Sequence, residues 1–226
     1  MTVRFIYIAF KEARVGGKVN MSKSSNDVRR MTTLALLIAI VLVMSYTPLG
    51  YLQVGPLSMS LLTIPVAIAA IVMGPVDGAI IGTVFGLTSF LNAMEGKSAM
   101  GAAMFSINPI ACFIVCVIAR TCMGLCAGLI HQAMQKARPQ AGKTNALVGG
   151  LSAALLNTAF FMGTLVLFYY NSDYVQNLVT NLHVSNPISF IIALVGIQGL
   201  IEAVVCSLVS AAVSVPLMKV RHSKNG

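Results

Sequence analysis

The sequence predicts an all-α integral membrane protein, a bundle of six transmembrane helices with both termini in the cytoplasm. Hydrophobic residues make up 57% of the 226 positions and charged residues only 9%, whereas soluble domains carry about 25% charged residues. The apolar runs are long and continuous, and backbone amides in lipid must bond within a helix or a closed barrel. Continuous rather than alternating hydrophobicity therefore favours helices.

Six apolar segments divide the chain. The fourth is longer than a bilayer requires, so its inner end should emerge or tilt. A cytoplasmic arm (1–30) precedes the membrane domain (31–218), and a cytoplasmic tail (219–226) follows it. The predicted segments run from Met31 to Met44, Leu57 to Met73, Val76 to Asn92, Ile107 to Met134, Leu147 to Tyr170 and Ile188 to Met218.

Basic residues are distributed unevenly over the connections. Thirteen Lys and Arg residues lie in the amino-terminal arm, in the loop between segments four and five, and in the tail. The opposite loops contain one, Lys97. Because positive charge stays cytoplasmic, both termini are predicted inside. The net charge of +9 thus indicates topology rather than a nucleic-acid surface.

Residues 1–20 do not fit this pattern, because the apolar run Phe5 to Phe10 is too short to span a membrane. Gly16-Gly17 can be encoded as GGAGGN, which resembles a bacterial ribosome-binding site, and three codons separate it from Met21. We hypothesise that native translation starts at Met21, so that residues 1–20 are not native. A start at Met1 stays open, and amino-terminal sequencing of protein made from the native gene would decide.

Arg120, Asn157 and Glu202 share one depth in the predicted bundle. At about 1.5 Å per residue, each lies roughly 20 Å from the outer end of its segment. A charge at that depth is costly unless it faces the interior and finds a partner. Two compatible interpretations stay open: an Arg120–Glu202 ion pair with Asn157 as a supporting hydrogen-bond partner, or the floor of a substrate cavity.

Further polar residues are expected above that floor, where they would line the upper part of a cavity. The loop from Tyr46 to Pro56 is rich in Gly and Pro and longer than a helical hairpin needs. It serves either as a lid or as a simple connector, and the sequence does not decide between them. The upper residues are Tyr51, Gln53, Asn92, Asn108 and Gln198.

Small residues recur at a spacing of four in two segments. Gly74, Gly78, Gly82 and Gly86 form one row of segment three, which indicates either tight packing inside the bundle or a docking face. Ala35 and Ala39 form a shorter row on segment one.

No motif for a cofactor, a metal or a catalytic centre is recognised. Gly142-Lys143-Thr144 lacks the first glycine of a phosphate-binding loop, because Ala137 stands there. The sequence contains neither HExxH nor GxSxG. We therefore expect no cofactor and no enzymatic activity.

Several short strings, in this order, resemble the substrate-binding S component of energy-coupling factor (ECF) vitamin transporters over residues 29–221. The resemblance implies a subunit of the bacterial cell membrane that captures an extracellular vitamin. A transmembrane scaffold subunit and two ATPase subunits would supply the energy, and Ala35 and Ala39 match the family's docking face for the scaffold. The strings are Thr63-Ile64-Pro65-Val66, Met73-Gly74-Pro75, Phe85-Gly86-Leu87, Leu156-Asn157-Thr158 and Gly199-Leu200-Ile201-Glu202.

The Leu-Asn-Thr and Gly-Leu-Ile-Glu strings look most like the pantothenate branch of that family. Arg120 suits the carboxylate of pantothenate if Glu202 does not neutralise it. The sequence departs at Gly199, where related members place a polar residue, and the neighbouring Gln198 is a candidate substitute. Another B vitamin (pyridoxine-like, riboflavin or folate) stays open, as do a stand-alone secondary transporter and an intramembrane enzyme.

Overall fold

A computed structural model describes residues 27–48, 50–54, 57–184 and 186–223. The side chains at 52–54, 57–59, 197, 198 and 219–223 lie outside this description. The chain divides into two units, residues 1–36 and 37–226. Residues 27–36 of the first unit are helical, and the hypothesis about residues 1–20 falls outside the described part.

The described chain is almost entirely helical, with one short hairpin. The first helix ends at Tyr46, and the first strand of the hairpin begins at Tyr51. Its strands are antiparallel and place Tyr51 opposite Ser60. The elements are α1 (Asp27–Tyr46), β1 (Tyr51–Val54), β2 (Leu57–Ser60), α2 (Thr63–Val72), α3 (Pro75–Met94), α4 (Ala99–Ile107), α5 (Pro109–Phe113), α6 (Ala119–Ala137), α7 (Gly142–Tyr169), α8 (Asp173–Asn181) and α9 (Pro187–Ser223).

Five helical stretches of the described chain are long and apolar enough to cross a membrane. They correspond to predicted segments one, three, four, five and six. The fourth combines α5 and α6, and the last is the part of α9 that follows its break. The stretches are Asp27–Tyr46, Pro75–Met94, Pro109–Ala137, Gly142–Tyr169 and Gly199–Met218.

The predicted second segment is not one helix, and this prediction was wrong. Its first four residues, Leu57–Ser60, form strand β2, and only Thr63–Val72 is helical. Leu57, Ser58, Met59 and Ser60 alternate between apolar and polar, which is the period of a strand. At ten residues, α2 is about 15 Å long, half the thickness of the hydrocarbon core.

Helix α2 is apolar all round because protein surrounds it. Eight of its ten residues are buried, from Thr63 to Ile71 with one interruption. A helix without a polar face is typical of the centre of a bundle. Its shortness leaves the hairpin, rather than another helical turn, at its amino-terminal end.

The glycine row of α3 packs against α6 and the turn before it, as the packing interpretation expects. A Cβ at Gly78 would come within 2.7 Å of the Gly124 carbonyl oxygen, and one at Gly86 within 2.6 Å of the Val117 Cα. A Cβ at Gly82 would meet the carbonyl oxygen of Arg120. The two backbones therefore touch, and this contact fixes the position of Arg120.

Two helices depart from regular geometry. Between α5 and α6 the chain makes a π-helical turn, Ile114–Ile118, after which the Ala119 N–H bonds the Ile114 carbonyl. Helix α9 is interrupted at Gly196, whose φ of 36° and ψ of −131° are not helical. Such irregularities are frequent at functional sites, and both lie beside the cavity described next.

Candidate functional site: a polar cavity within the bundle

A cavity of about 890 Å³ lies within residues 37–226. The carboxyl end of α1, the hairpin and helices α3, α4, α6, α7 and α9 contribute to its wall. Its volume is in the range of small-molecule sites, about 300–1,000 Å³. Most of the surface of its wall is apolar, and polar side chains from several elements converge on it.

Arg120 brings a positive charge to the cavity wall. Its guanidinium Nη1 donates to the carbonyl oxygens of Val115 and Cys116, at 3.3 and 3.1 Å. Both carbonyls belong to the π-helical turn. The Arg120 Cζ also lies 4.5 Å from the ring centre of Phe85 and 4.9 Å from that of Phe161. Carbonyl dipoles and aromatic faces stabilise the cation without cancelling its charge.

Glu202 stands in the same wall and is held by neutral donors. Its Oε1 accepts hydrogen bonds from Thr63 Oγ1 at 3.1 Å and from Asn157 Nδ2 at 3.2 Å. The role expected of Asn157 as a hydrogen-bond partner is confirmed. The expected ion pair is wrong, because no ion pair joins Arg120 to Glu202 in the described part of the chain. Arg120 bonds backbone carbonyls instead, and Glu202 bonds the neutral side chains of Thr63 and Asn157.

The side of the cavity next to α1 is built by α3 and the segment after it. Asn92 Nδ2 donates to the Ser45 Oγ at 3.2 Å and to the Ser45 carbonyl at 3.4 Å. Lys97 Nζ lies 2.5 Å from Glu95 Oε2 and 4.5 Å from the ring centre of Tyr46. Lys97 is half exposed, so this contact lies at the rim rather than in the interior.

Unpartnered polar atoms concentrate at the cavity. Buried polar groups in folded proteins nearly always have a hydrogen-bond partner. Seven buried side-chain nitrogen or oxygen atoms of the described residues lack one, and five of the seven belong to residues of the cavity wall. A bound molecule with complementary groups would satisfy them. The five are Tyr51 Oη, Ser60 Oγ, Asn92 Oδ1, Arg120 Nε and Asn157 Oδ1.

The structure brings most of the predicted site residues together. Tyr51, Asn92, Arg120, Asn157 and Glu202 all line the cavity.

Of the other three predicted site residues, the structure places one elsewhere and does not describe the side chains of two. Asn108 does not line the cavity: it is exposed, and its Oδ1 caps α5 by accepting from the Ile110 and Ala111 N–H groups, both at 3.1 Å. The side chains of Gln53 and Gln198 lie outside the described residues.

Several polar residues of the wall were missed by the sequence reasoning. Thr63 was assigned to an apolar segment and to a family string but not to the site; it does not line the cavity, but it is fully buried and bonds the wall residue Glu202. Thr158 follows Asn157 directly, so the Leu-Asn-Thr string already contained a second wall residue. Others carried no signal, because small hydroxyl residues are common in apolar helices and because some positions depend on the hairpin and on α4 and α8. They are Ser45, Thr47, Ser60, Ser89, Ser98 and Tyr174.

Residues 29–214 match the family model described as ECF transporter, substrate-specific component. The chain belongs to this family. A curated relative is the pantothenate transporter PanT of Leuconostoc mesenteroides subsp. mesenteroides, 27% identical over 197 residues. The match covers 84% of this chain and 92% of the relative.

Membership of the ECF substrate-specific components makes this chain a transport subunit of the bacterial cell membrane, not an enzyme. It binds a vitamin substrate, and the family implies a complex with a scaffold and ATPases. The five long apolar helices agree with that environment. The cavity is the place where a small substrate would fit, since the polar atoms without partners converge there.

Proposed function

We propose that this substrate-specific component captures extracellular pantothenate in the cavity, for uptake powered by ATP hydrolysis in partner subunits. Pantothenate carries a carboxylate, an amide and hydroxyl groups. The cavity offers an arginine that forms no ion pair with an acidic side chain in the described residues, together with amide and hydroxyl groups that lack partners. Arg120 is the single observation that carries the choice of an anionic vitamin.

The charge of Arg120 decides between vitamin classes. A pyridoxine-like vitamin is neutral, and it would leave the cation at the wall with only carbonyl and aromatic partners. A carboxylate would form a charge-assisted hydrogen bond with the free Nε. The name of the 27% identical relative, a pantothenate transporter, supports the same choice.

Ligand contacts are proposed for seven residues. Tyr51, Asn92, Arg120, Asn157 and Glu202 line the cavity, and Gln53 and Gln198 are proposed from the sequence alone. Gln198 is a direct neighbour of Gly199, a residue of the wall.

We further propose six membrane crossings with both ends in the cytoplasm. Five long helices alone would place the two ends on opposite sides of the membrane. Basic residues are concentrated at both ends and favour the same side. Helix α2 supplies the sixth crossing, since a helix buried among other helices need not match the thickness of the lipid.

For the partner complex, we propose docking of the scaffold on α1 through Ala35 and Ala39. Both residues are exposed and lie four positions apart on one helix. Small residues at this spacing allow a second helix to approach closely.

Binding calorimetry on the solitary subunit, with a panel of pantothenate, pyridoxine, riboflavin and folate, tests the proposal. We expect pantothenate to bind at least about tenfold more tightly than any other member, a difference of about 1.4 kcal/mol. A neutral vitamin that bound more tightly than pantothenate would refute the anionic substrate. Turnover of a substrate by the isolated subunit would instead favour an enzyme.

A further inference from the structure

Asn92 lines the cavity and has a hydrogen-bond acceptor without a partner. Only 5% of its surface is exposed. A carbonyl oxygen can only accept hydrogen bonds, so the amide nitrogen of Asn92 must be the atom that contacts the Ser45 carbonyl. The remaining atom, Oδ1, has no partner among the described residues. An acceptor in this position favours a hydroxyl or N–H group of a ligand and disfavours a carboxylate.

Helix α3 carries both this acceptor and an aromatic partner of the cation. Phe85, whose ring stacks on Arg120, and Asn92 are seven residues apart and lie on one face. Two helical turns separate them, which is about 10 Å. Ser89 lies between them on that face and also lines the cavity. Its small side chain leaves room for a ligand along α3.

The length and the polarity of pantothenate match this arrangement along α3. Roughly eight bonds join its carboxyl carbon to its terminal hydroxyl oxygen, and an extended chain advances about 3.5 Å for every three bonds. Its two ends are therefore about 9 Å apart, close to the separation along α3. One end is an anion and the other a hydrogen-bond donor.

We infer that the ligand lies along α3 with its carboxylate at Arg120 and its terminal hydroxyl at Asn92, which makes Asn92 a specificity-determining residue. This inference rests on the proposed binding of pantothenate. It adds an orientation, and it assigns recognition of the hydroxyl end to α3. The Ser45 contacts fix the amide, so that its oxygen is held in place before the ligand enters.

The test compares pantothenate with an analogue whose terminal hydroxyl is replaced by hydrogen. The measured quantity is the ratio of the two dissociation constants within each protein variant, which a change in folded fraction does not alter. We expect the wild type to prefer pantothenate about five- to tenfold, as one hydrogen bond implies. Asn92→Ala should bring the ratio to about one. Asn92→Ser serves the same purpose if the alanine variant does not fold.

Thr158→Val is the matched control, because it removes a hydroxyl of the cavity wall on α7, away from α3. Its ratio should equal that of the wild type. The orientation is overturned if Asn92→Ala keeps the wild-type ratio, or if Thr158→Val and not Asn92→Ala lowers it. A wild-type protein that binds neither compound contradicts the proposed function instead, so the two failures are distinguishable.

Discussion

The α3–α6 contact and the polar cavity both involve helix α3, but the contact is closely packed whereas the cavity contains polar atoms without partners. At the contact, Gly78, Gly82 and Gly86 let two backbones touch, and the Thr83 and Thr121 hydroxyls pair at 2.9 Å. At the cavity, buried polar atoms are left without partners. The difference indicates that the two regions have separate roles. The contact fixes the helices in position, and the polar groups at the cavity are left for a ligand.

The substitution with the largest expected effect disrupts the α3–α6 contact. Gly82→Ala places a Cβ against the Arg120 carbonyl oxygen, so the backbones must separate. We expect the free energy of unfolding to fall by about 3 kcal/mol and the Tm to fall by roughly 6–12 °C in detergent. Gly163→Ala is the control, because a Cβ at Gly163 meets nothing within 4 Å. Equal melting temperatures for the two variants would contradict the close contact.

The small residues of α1 extend the comparison to an exposed surface. Ala35 and Ala39 repeat the spacing of the glycine row, but both are exposed. Ala39→Leu should weaken assembly with the scaffold about tenfold, as overpacking of a helix contact by 1–3 kcal/mol implies. Pantothenate affinity should not change. Co-purification with the scaffold measures assembly, and Ile40→Phe enlarges a different face as the control. Unchanged co-purification of Ala39→Leu would count against this docking face.

Replacing one threonine in each region with the nearly isosteric valine compares the cavity with the contact directly. Thr63→Val removes a hydrogen bond to Glu202 in the cavity, whereas Thr83→Val removes one at the contact. Each should cost about 1–2 kcal/mol of stability. Only Thr63→Val should also weaken pantothenate binding, because Glu202 then loses a donor that orients it. Calorimetry that found the same loss of affinity in both variants would refute this role of Thr63.

The smallest effect is expected at the rim. Lys97 is half exposed and paired with Glu95, and such pairs are worth about 0–1 kcal/mol. Lys97→Gln should change pantothenate affinity by less than about fivefold, and this difference should shrink at high salt. Titrations at two salt concentrations measure it. A loss as large as that of an Arg120 variant would instead make Lys97 the principal anion-binding group.

Much of this architecture follows from the sequence, for physical reasons. Long apolar runs and a four-residue glycine spacing depend on local pattern, so the long helices and the packed row could be predicted. Arg120, Asn157 and Glu202 could be brought to one cavity by counting helical turns. The hairpin was not predicted, because each of its strands is only four residues long and β2 runs on into the apolar residues of α2. The hydrogen-bond partners of Arg120 could not be predicted from the sequence, since they are carbonyl groups of a π-helical turn.

The central claim is that Arg120 binds the carboxylate of the vitamin. The most direct test measures the affinities of wild type and Arg120→Gln for pantothenate and for pantothenol, in which an alcohol replaces the carboxylate. We predict that Arg120→Gln lowers the affinity for pantothenate about 10–100-fold, the worth of a charged hydrogen bond, and changes that for pantothenol by less than about threefold. Equal losses for the two ligands would contradict the account.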